Sequence, residues 1–218
     1  SSEGPGGRYR TYGYIPEGQE FNYQTWCAGV VAGHTFLSGG PIIQFSVEGQ
    51  QVGDTVRLPG PGTVEVAALA ESIFPIHTLE IVQQGRVVAS TEDRKGARRL
   101  ELKARVKVDG HTWLAARCGG PDYYKSIPHH DVWNRGIFAH TSPIYVACGG
   151  DWRMFDRSAA QYMLTLIDGS LTYMRETATH HRHGAVTHHH GEDDHLAYLQ
   201  RPFLDAQKLM QERIRQAH

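Results

Sequence analysis

Leu79–Ser90 reads LEIVQQGRVVAS. Two runs rich in β-branched residues flank Gln84-Gly85. Such a link predicts a β-hairpin, because glycine reaches the positive φ that a tight two-residue turn demands. The same grammar extends in both directions. Ile42–Gly49, IIQFSVEG, alternates Ile43, Phe45 and Val47 with Gln44, Ser46 and Glu48. Thr55–Gly62 (TVRLPGPG) and Thr63–Ala70 (TVEVAALA) follow, and further on Arg98–Gly110, RRLELKARVKVDG, ends in a second turn signal, Asp109-Gly110. That turn leads to Thr112–Gly120 (TWLAARCGG), and Thr141–Cys148 (TSPIYVAC) closes the series. Short strands with turns at this spacing predict a mostly β chain, with an immunoglobulin-like β-sandwich over residues 41–148.

The flanks read differently. Asn22 is placed to cap a helix over Tyr23–Ala32, with Trp26, Cys27, Val30 and Val31 as its apolar stripe and Gly33 as its stop. His34–Ser38, HTFLS, then reads as a strand ended by Gly39-Gly40-Pro41. After Cys148 the period becomes helical: Ala159, Tyr162, Met163, Leu166, Ile167, Leu171 and Met174 recur on one stripe, with Asp156 or Ser158 as cap. A second helix is expected to begin near Pro202 and reach about Gln216, with Phe203, Ala206, Met210 and Ile214 inward. The expected layout is a helix and strand over 1–40, the sandwich over 41–148, and a helical hairpin over 149–218 joined by a histidine-rich loop, 179–195. Trp26 and Trp113 are expected in the core.

The 218 residues are 40% apolar and 21% charged, which is enough to bury a core. A formal net charge of -1 gives no bulk field favouring nucleic acid or an anionic membrane. No apolar run approaches the roughly 18 residues of a membrane span. Cys27, Cys118 and Cys148 are widely spaced and lack a Cys-x-x-Cys motif; Cys27, in an apolar helical pattern, and Cys148, after the apolar run IYVA, read as buried reduced thiols. The opening SSEGPGGRYR has no Met and starts as if within a loop, so the chain is expected to be part of a longer one.

Familiar catalytic signatures are missing from the sequence: it has no phosphate-cradling glycine loop, no Gly-x-Ser-x-Gly and no His-Glu-x-x-His. The acidic pairs Glu92-Asp93 and Asp193-Asp194 lie in polar sequence and read as solvated. His129-His130-Asp131 sits beside an aromatic and an arginine, and reads as loop packing. His140 is expected to bond within a turn, and His34 to meet a helix C-terminus, where a protonated imidazole is favoured by the dipole.

Four features in order carry a family resemblance: Arg10-Thr11-Tyr12, a helix centred on Trp26, the Ala32–Phe36 turn AGHTF, and Gly39-Gly40-Pro41 leading into a strand. Together Arg10–Leu58 resembles the segment that closes the catalytic domain of CehA/McbA-type metallohydrolases of the PHP superfamily. LEIVQQGRVV, WLAARC and AHTSPIYV resemble the accessory sandwich of those proteins, and the helices after Trp152 resemble their C-terminal extension. The resemblance implies a parent enzyme in which a distorted (β/α) barrel holds divalent metals and hydrolyses ester, amide or phosphoester bonds. Its metal ligands lie upstream of the RTY motif, so none maps onto this chain. The expectation is a non-catalytic C-terminal module whose partner is its own N-terminal hydrolase domain, with residues 1–40 as a remnant of the barrel. A homo-oligomer is the other assembly considered.

Two further readings stand beside it. In one, the tract from Thr179 to Leu196, THHRHGAVTHHHGEDDHL, makes the chain a metal-binding module. His180, His181, His183, His188, His189, His190 and His195 are its candidate ligands, with Asp193 and Asp194 nearby. Imidazole suits Zn, Ni and Cu, and four such groups complete a tetrahedral shell; the alternative is a hydrated link between helices. In the other, the sandwich binds carbohydrate or protein, which exposed aromatics on one sheet face would favour. For the tract, the expected outcome of calorimetric titration with Ni, Cu or Zn is weak binding. Several imidazoles in one loop raise each other's effective concentration. Affinity should fall as pH drops through about 6.5, where imidazole takes a proton, and fall again when His188, His189 and His190 become Ala. No heat of binding with any of the three metals would reduce the tract to a solvated link.

Overall fold

The computed structural model describes residues 9–120, 137–177, 191 and 194–216. It is mostly β, with two helices at the C-terminal end, and divides into two compact units on either side of Arg153/Met154. In the first unit the elements are β1 (Arg10–Gly13), α1 (Tyr23–Val31), β2 (Thr35–Ser38), β3 (Ile42–Val47), β4 (Gln50–Gln51), β5 (Thr55–Leu58), β6 (Gly62–Gln83), β7 (Arg86–Val108), β8 (Thr112–Gly119), β9 (Phe138–Thr141) and β10 (Ile144–Cys148). The second unit holds α2 (Arg157–Glu176) and α3 (His195–Gln216).

The hairpin at Gln84-Gly85 is present, with both residues at positive φ (47° and 82°). It is far longer than expected. The separate strands read at Thr63–Ala70 and from Leu79 onward merge into the 22 residues of β6, and their partners into the 23 of β7. The first half of β6 pairs with β3 and the second half with β8, so one sheet curls and faces itself. β3 lies against β8 and β9 across the interior.

That curl works only if the strand changes which side chains point inward. Before the second bulge the core residues of β6 are Val64, Val66, Ala68, Ala70 and Ile76; after it they are Leu79 and Ile81, while Glu80 and Val82 are covered outside the core cluster. Even positions give way to odd ones. Side chains alternate with a period of two, so an unbroken ladder would expose one of the two sets. Successive bulges solve this. Four residues of β6, Ser72–Pro75, stand opposite Arg98 alone; then four of β7, Asp93–Gly96, stand opposite His77 alone. Pro75 has no N–H to give a ladder and falls in the first bulge. Gly96, in the second, has φ +83°, and a Cβ there would stand 2.6 Å from the Pro75 side chain.

β8 buries Thr112, Leu114, Ala116 and Cys118, so Trp113, Ala115 and Arg117 face the other way. Trp113 is therefore half-buried, not a core residue. Trp26 is 36% exposed. The α1 expectation is corrected in the same sense. Its cap is as read: the Asn22 side chain accepts from the Thr25 N–H at 2.9 Å, and the Thr25 hydroxyl accepts from the Asn22 N–H at 3.1 Å. Its stop is as read too: Gly33 N–H donates to Val30 O and His34 N–H to Gly29 O, a Schellman pattern. The Trp26–Val31 stripe, however, does not enter the core. Only Gly29 of the helix is buried, where a Cβ would stand 2.9 Å from the Tyr14 carbonyl.

In the second unit, Asp156 caps α2 by accepting from the Ala159 N–H at 2.9 Å. The less exposed residues of α2 are Ser170 and the apolar set Ala160, Leu164, Ile167, Leu171 and Met174, whose four-three spacing suits packing on α3. Ala159, Tyr162, Met163 and Leu166, expected on that stripe, are exposed. α3 begins seven residues before Pro202, not at it, because the Asp194 carboxylate accepts from Ala197 N–H at 2.9 Å and sets the first turn there. Pro202 lies inside the helix, where its missing N–H leaves one intrahelical bond unmade. Phe203, Met210 and Ile214 are partly covered as expected, but Ala206 is exposed. Among the described residues no helix is long and apolar enough to cross a membrane.

Leu114 and Trp113 are neighbours on opposite faces of β8, so their truncations should differ. Leu114→Ala is expected to lower unfolding free energy by about 2–5 kcal/mol, and Trp113→Ala by less than half of that. Urea denaturation midpoints measure both; equal losses would place Trp113 in the core.

Candidate functional site

The outward faces of the two halves of the curled sheet differ. Over the first half, Glu71, Arg99, Glu101, Lys103, Arg105 and Glu48 form a solvated charge ladder in which Arg99 pairs with Glu71 and Glu101, each at 2.5 Å. These pairs are about half exposed and hold little stability. Over the second half lies an open cleft of about 520 Å³, lined by Val82, Trp113, Arg117, His140, Tyr145 and their neighbours.

Strand register explains who meets there. Trp113 is the antiparallel partner of Tyr145, Arg117 of His140, and Glu80 of Arg117, and all lie on the outward face. Directly opposed residues have Cβ atoms about 4.5–5.5 Å apart, so Trp113 and Tyr145 stand next to each other in the cleft lining and make its aromatic wall. Tyr145 also meets Trp152 at a ring-centroid distance of 4.9 Å, and Trp152 meets His111 edge-on at 6.0 Å. The His111 ring in turn accepts from the Cys148 N–H through Nδ1 at 3.1 Å, which fixes its tautomer as Nε2-protonated when neutral.

The floor is an ion pair. Arg117 donates through Nε and Nη2 to one carboxylate oxygen of Glu80, each at 2.8 Å. The Glu80 side chain is only 11% exposed and that of Arg117 31%, so the pair is held in place by the sheet. The hollow itself follows from two local features. Ala115 puts a methyl group between Trp113 and Arg117. Beside it the chain breaks between β9 and β10, so Ala116 N–H donates to the Thr141 hydroxyl at 3.0 Å instead of to a strand carbonyl.

The sequence-derived candidates fare unevenly. His180, His181, His183, His188, His189, His190, Asp193, His129, His130 and Asp131 lie outside the described residues. His195 is described and opens α3, not the preceding loop; Asp194 is committed to the α3 cap. His140 lies on the exposed face beside Arg117. His34 pairs through Nε2 with Asp54 at 3.2 Å, so a carboxylate, rather than the helix terminus alone, is its partner. Among the described residues no group of three or more His, Cys, Asp or Glu is gathered as metal ligands would be. Cys27 and Cys148 are half-buried and Cys118 fully so; all three are free thiols. Sequence reading missed the cleft because both phases of TWLAARC are apolar enough to be core. Arg117, on the same phase as Trp113, was the available signal.

No known protein-family description matches the chain, and no curated protein matches it. Among solved structures, the fibronectin(III)-like modules of Clostridium thermocellum CbhA align with 47% of this chain and 92% of theirs, at 13% identity and a TM-score of 0.30.

Burial pushes the Cys118 thiol up to about 12. At pH 8 Cys118 is therefore expected to resist iodoacetamide in the folded protein and react only after unfolding, while Cys27 and Cys148 react sooner. Peptide mass spectrometry reads all three; prompt labelling of Cys118 would show that β8 opens readily.

Proposed function

We propose that this chain is a non-catalytic accessory module of a PHP-type, CehA/McbA-like metal-dependent hydrolase, and that the Trp113 cleft is the surface on which it holds a ligand. In this reading the curled sheet is an immunoglobulin-like sandwich, β1, α1 and β2 close the hydrolase domain, and the parent cleaves ester, amide or phosphoester bonds. The observation that carries the reading is the outer face of α1. Phe21 is 79%, Tyr23 75% and Val31 89% exposed, on and beside one short helix. Large apolar side chains grouped this way mark an interface, because each left in water forgoes the free energy of burial. The occupant proposed is the hydrolase domain whose closing segment Arg10–Leu58 resembles. The cleft adds the ligand role: its aromatic wall and fixed ion pair converge on open space, the arrangement of a binding site with few but placed polar groups.

The test compares this chain with a longer one that includes its natural upstream residues. Hydrogen exchange of the α1 amides, Gln24–Val31, is expected to slow about tenfold or more in the longer protein, whose upstream residues should contain a His-x-His ligand motif. The longer protein alone should turn over ester, amide or phosphoester substrates when loaded with metal. Unchanged exchange together with an upstream segment lacking such ligands would overturn the proposal.

A further inference from the structure

We infer that the cleft takes a neutral saccharide, with a pyranose ring stacked on Trp113 and Tyr145 and its hydroxyls turned toward Glu80, Arg117 and His140. The inference rests on the cleft being the module's ligand surface and names the ligand class. Three observations select it.

The first is charge. Arg117 on the floor is balanced by Glu80 beside it, and His140 and Tyr145 are the other titratable side chains lining the cleft. With the ion pair balanced, the floor carries no net charge to attract a phosphate, a carboxylate or a nucleic acid backbone. The second is the mixture of surfaces. A pyranose has axial C–H bonds on its faces and hydroxyls around its edge. The faces suit a flat aromatic wall, and the edge suits planar side chains that both donate and accept, as an Arg–Glu pair and an imidazole do. A wholly apolar ligand would take the outer edge of the ion pair and His140 out of water and offer no hydrogen bonds in return. The third is backbone satisfaction. β8, under the cleft, is hydrogen-bonded to β6 on one side and to β9 and β10 on the other. A peptide strand cannot add to a face whose ladder groups are already paired, which removes the commonest mode of peptide capture by a sheet.

The shape agrees. The cleft is open to solvent, which leaves room for more than one sugar, and Trp152 packs against Tyr145 at its border.

The test is calorimetric titration of the whole chain with cellohexaose, xylohexaose, mannohexaose and chitohexaose, with hexagalacturonate as the anionic arm and a proline-rich decapeptide as the peptide arm. At least one neutral hexasaccharide is expected to bind, with Trp113→Ala weakening it about tenfold or more and Trp113→Phe, which keeps a ring, weakening it less. Circular dichroism confirms that each variant is folded. Glu80→Gln leaves the Arg117 charge uncompensated and should shift preference toward hexagalacturonate. Binding of hexagalacturonate or the peptide alone, lost in Trp113→Ala, would overturn the saccharide assignment while leaving the cleft as a ligand surface. No binding in any arm, or neutral-sugar binding indifferent to Trp113, would overturn the inference as well, and an absence of all binding would take the ligand half of the accessory-module reading with it.

Discussion

A β-strand has two faces, and one strand here must serve two halves of a curled sheet. β6 enters with Val64, Val66 and Ala68 inward and leaves with Leu79 and Ile81 inward. The slip of one position at the Ser72–Pro75 and Asp93–Gly96 bulges reconciles these demands. Without it, either the first set or the second would stand in water, and the interior would lose several fully buried side chains, each holding on the order of 1.5–3 kcal/mol. The same slip sends Glu80 and Val82 outward beside Arg117 and Ala115. The core and the cleft are thus two consequences of one constraint.

The two outer faces have diverged in chemistry. Over the first half of the sheet, alternating Glu, Lys and Arg keep the surface hydrated and discourage association. Over the second half, an aromatic wall and a partly buried ion pair replace that ladder. Holding Glu80 and Arg117 out of water carries a desolvation penalty that their attraction only partly offsets. A pair kept at a cleft floor on these terms makes sense as a positioned polar group, and much less as a source of stability.

How far the sequence alone reached follows from the kind of signal available. Local chemistry was legible: the Gln84-Gly85 turn, the Asn22 cap, the Gly33 stop and the Asp156 cap each depend on a few adjacent residues. The mostly β class was legible from alternation. Phase was not. TWLAARC offers Trp113 and Ala115 on one side and Leu114, Ala116 and Cys118 on the other, and only the non-local pairing with β6 decides which is inward. The length of β6 and β7 was hidden because Pro75 and Gly96 look like strand breakers, yet in alternate bulges neither interrupts the hairpin. α3 was misplaced because Pro202 suits a first turn, while the Asp194 cap outweighs it. For α1, an apolar stripe does not reveal whether its own unit covers it, and here most of that stripe is exposed.

The central claim is that Trp113 stands on the outward phase of β8 and walls the cleft. Solution NMR measures this most directly, through nuclear Overhauser contacts from the Trp113 indole. The account predicts contacts to the Tyr145 ring and the Ala115 methyl group, and none to Ile43 or Val47 in the interior. An indole that contacts Ile43 or Val47 would contradict it, since the phase of β8, the parity switch in β6 and the aromatic wall would then all be misassigned together.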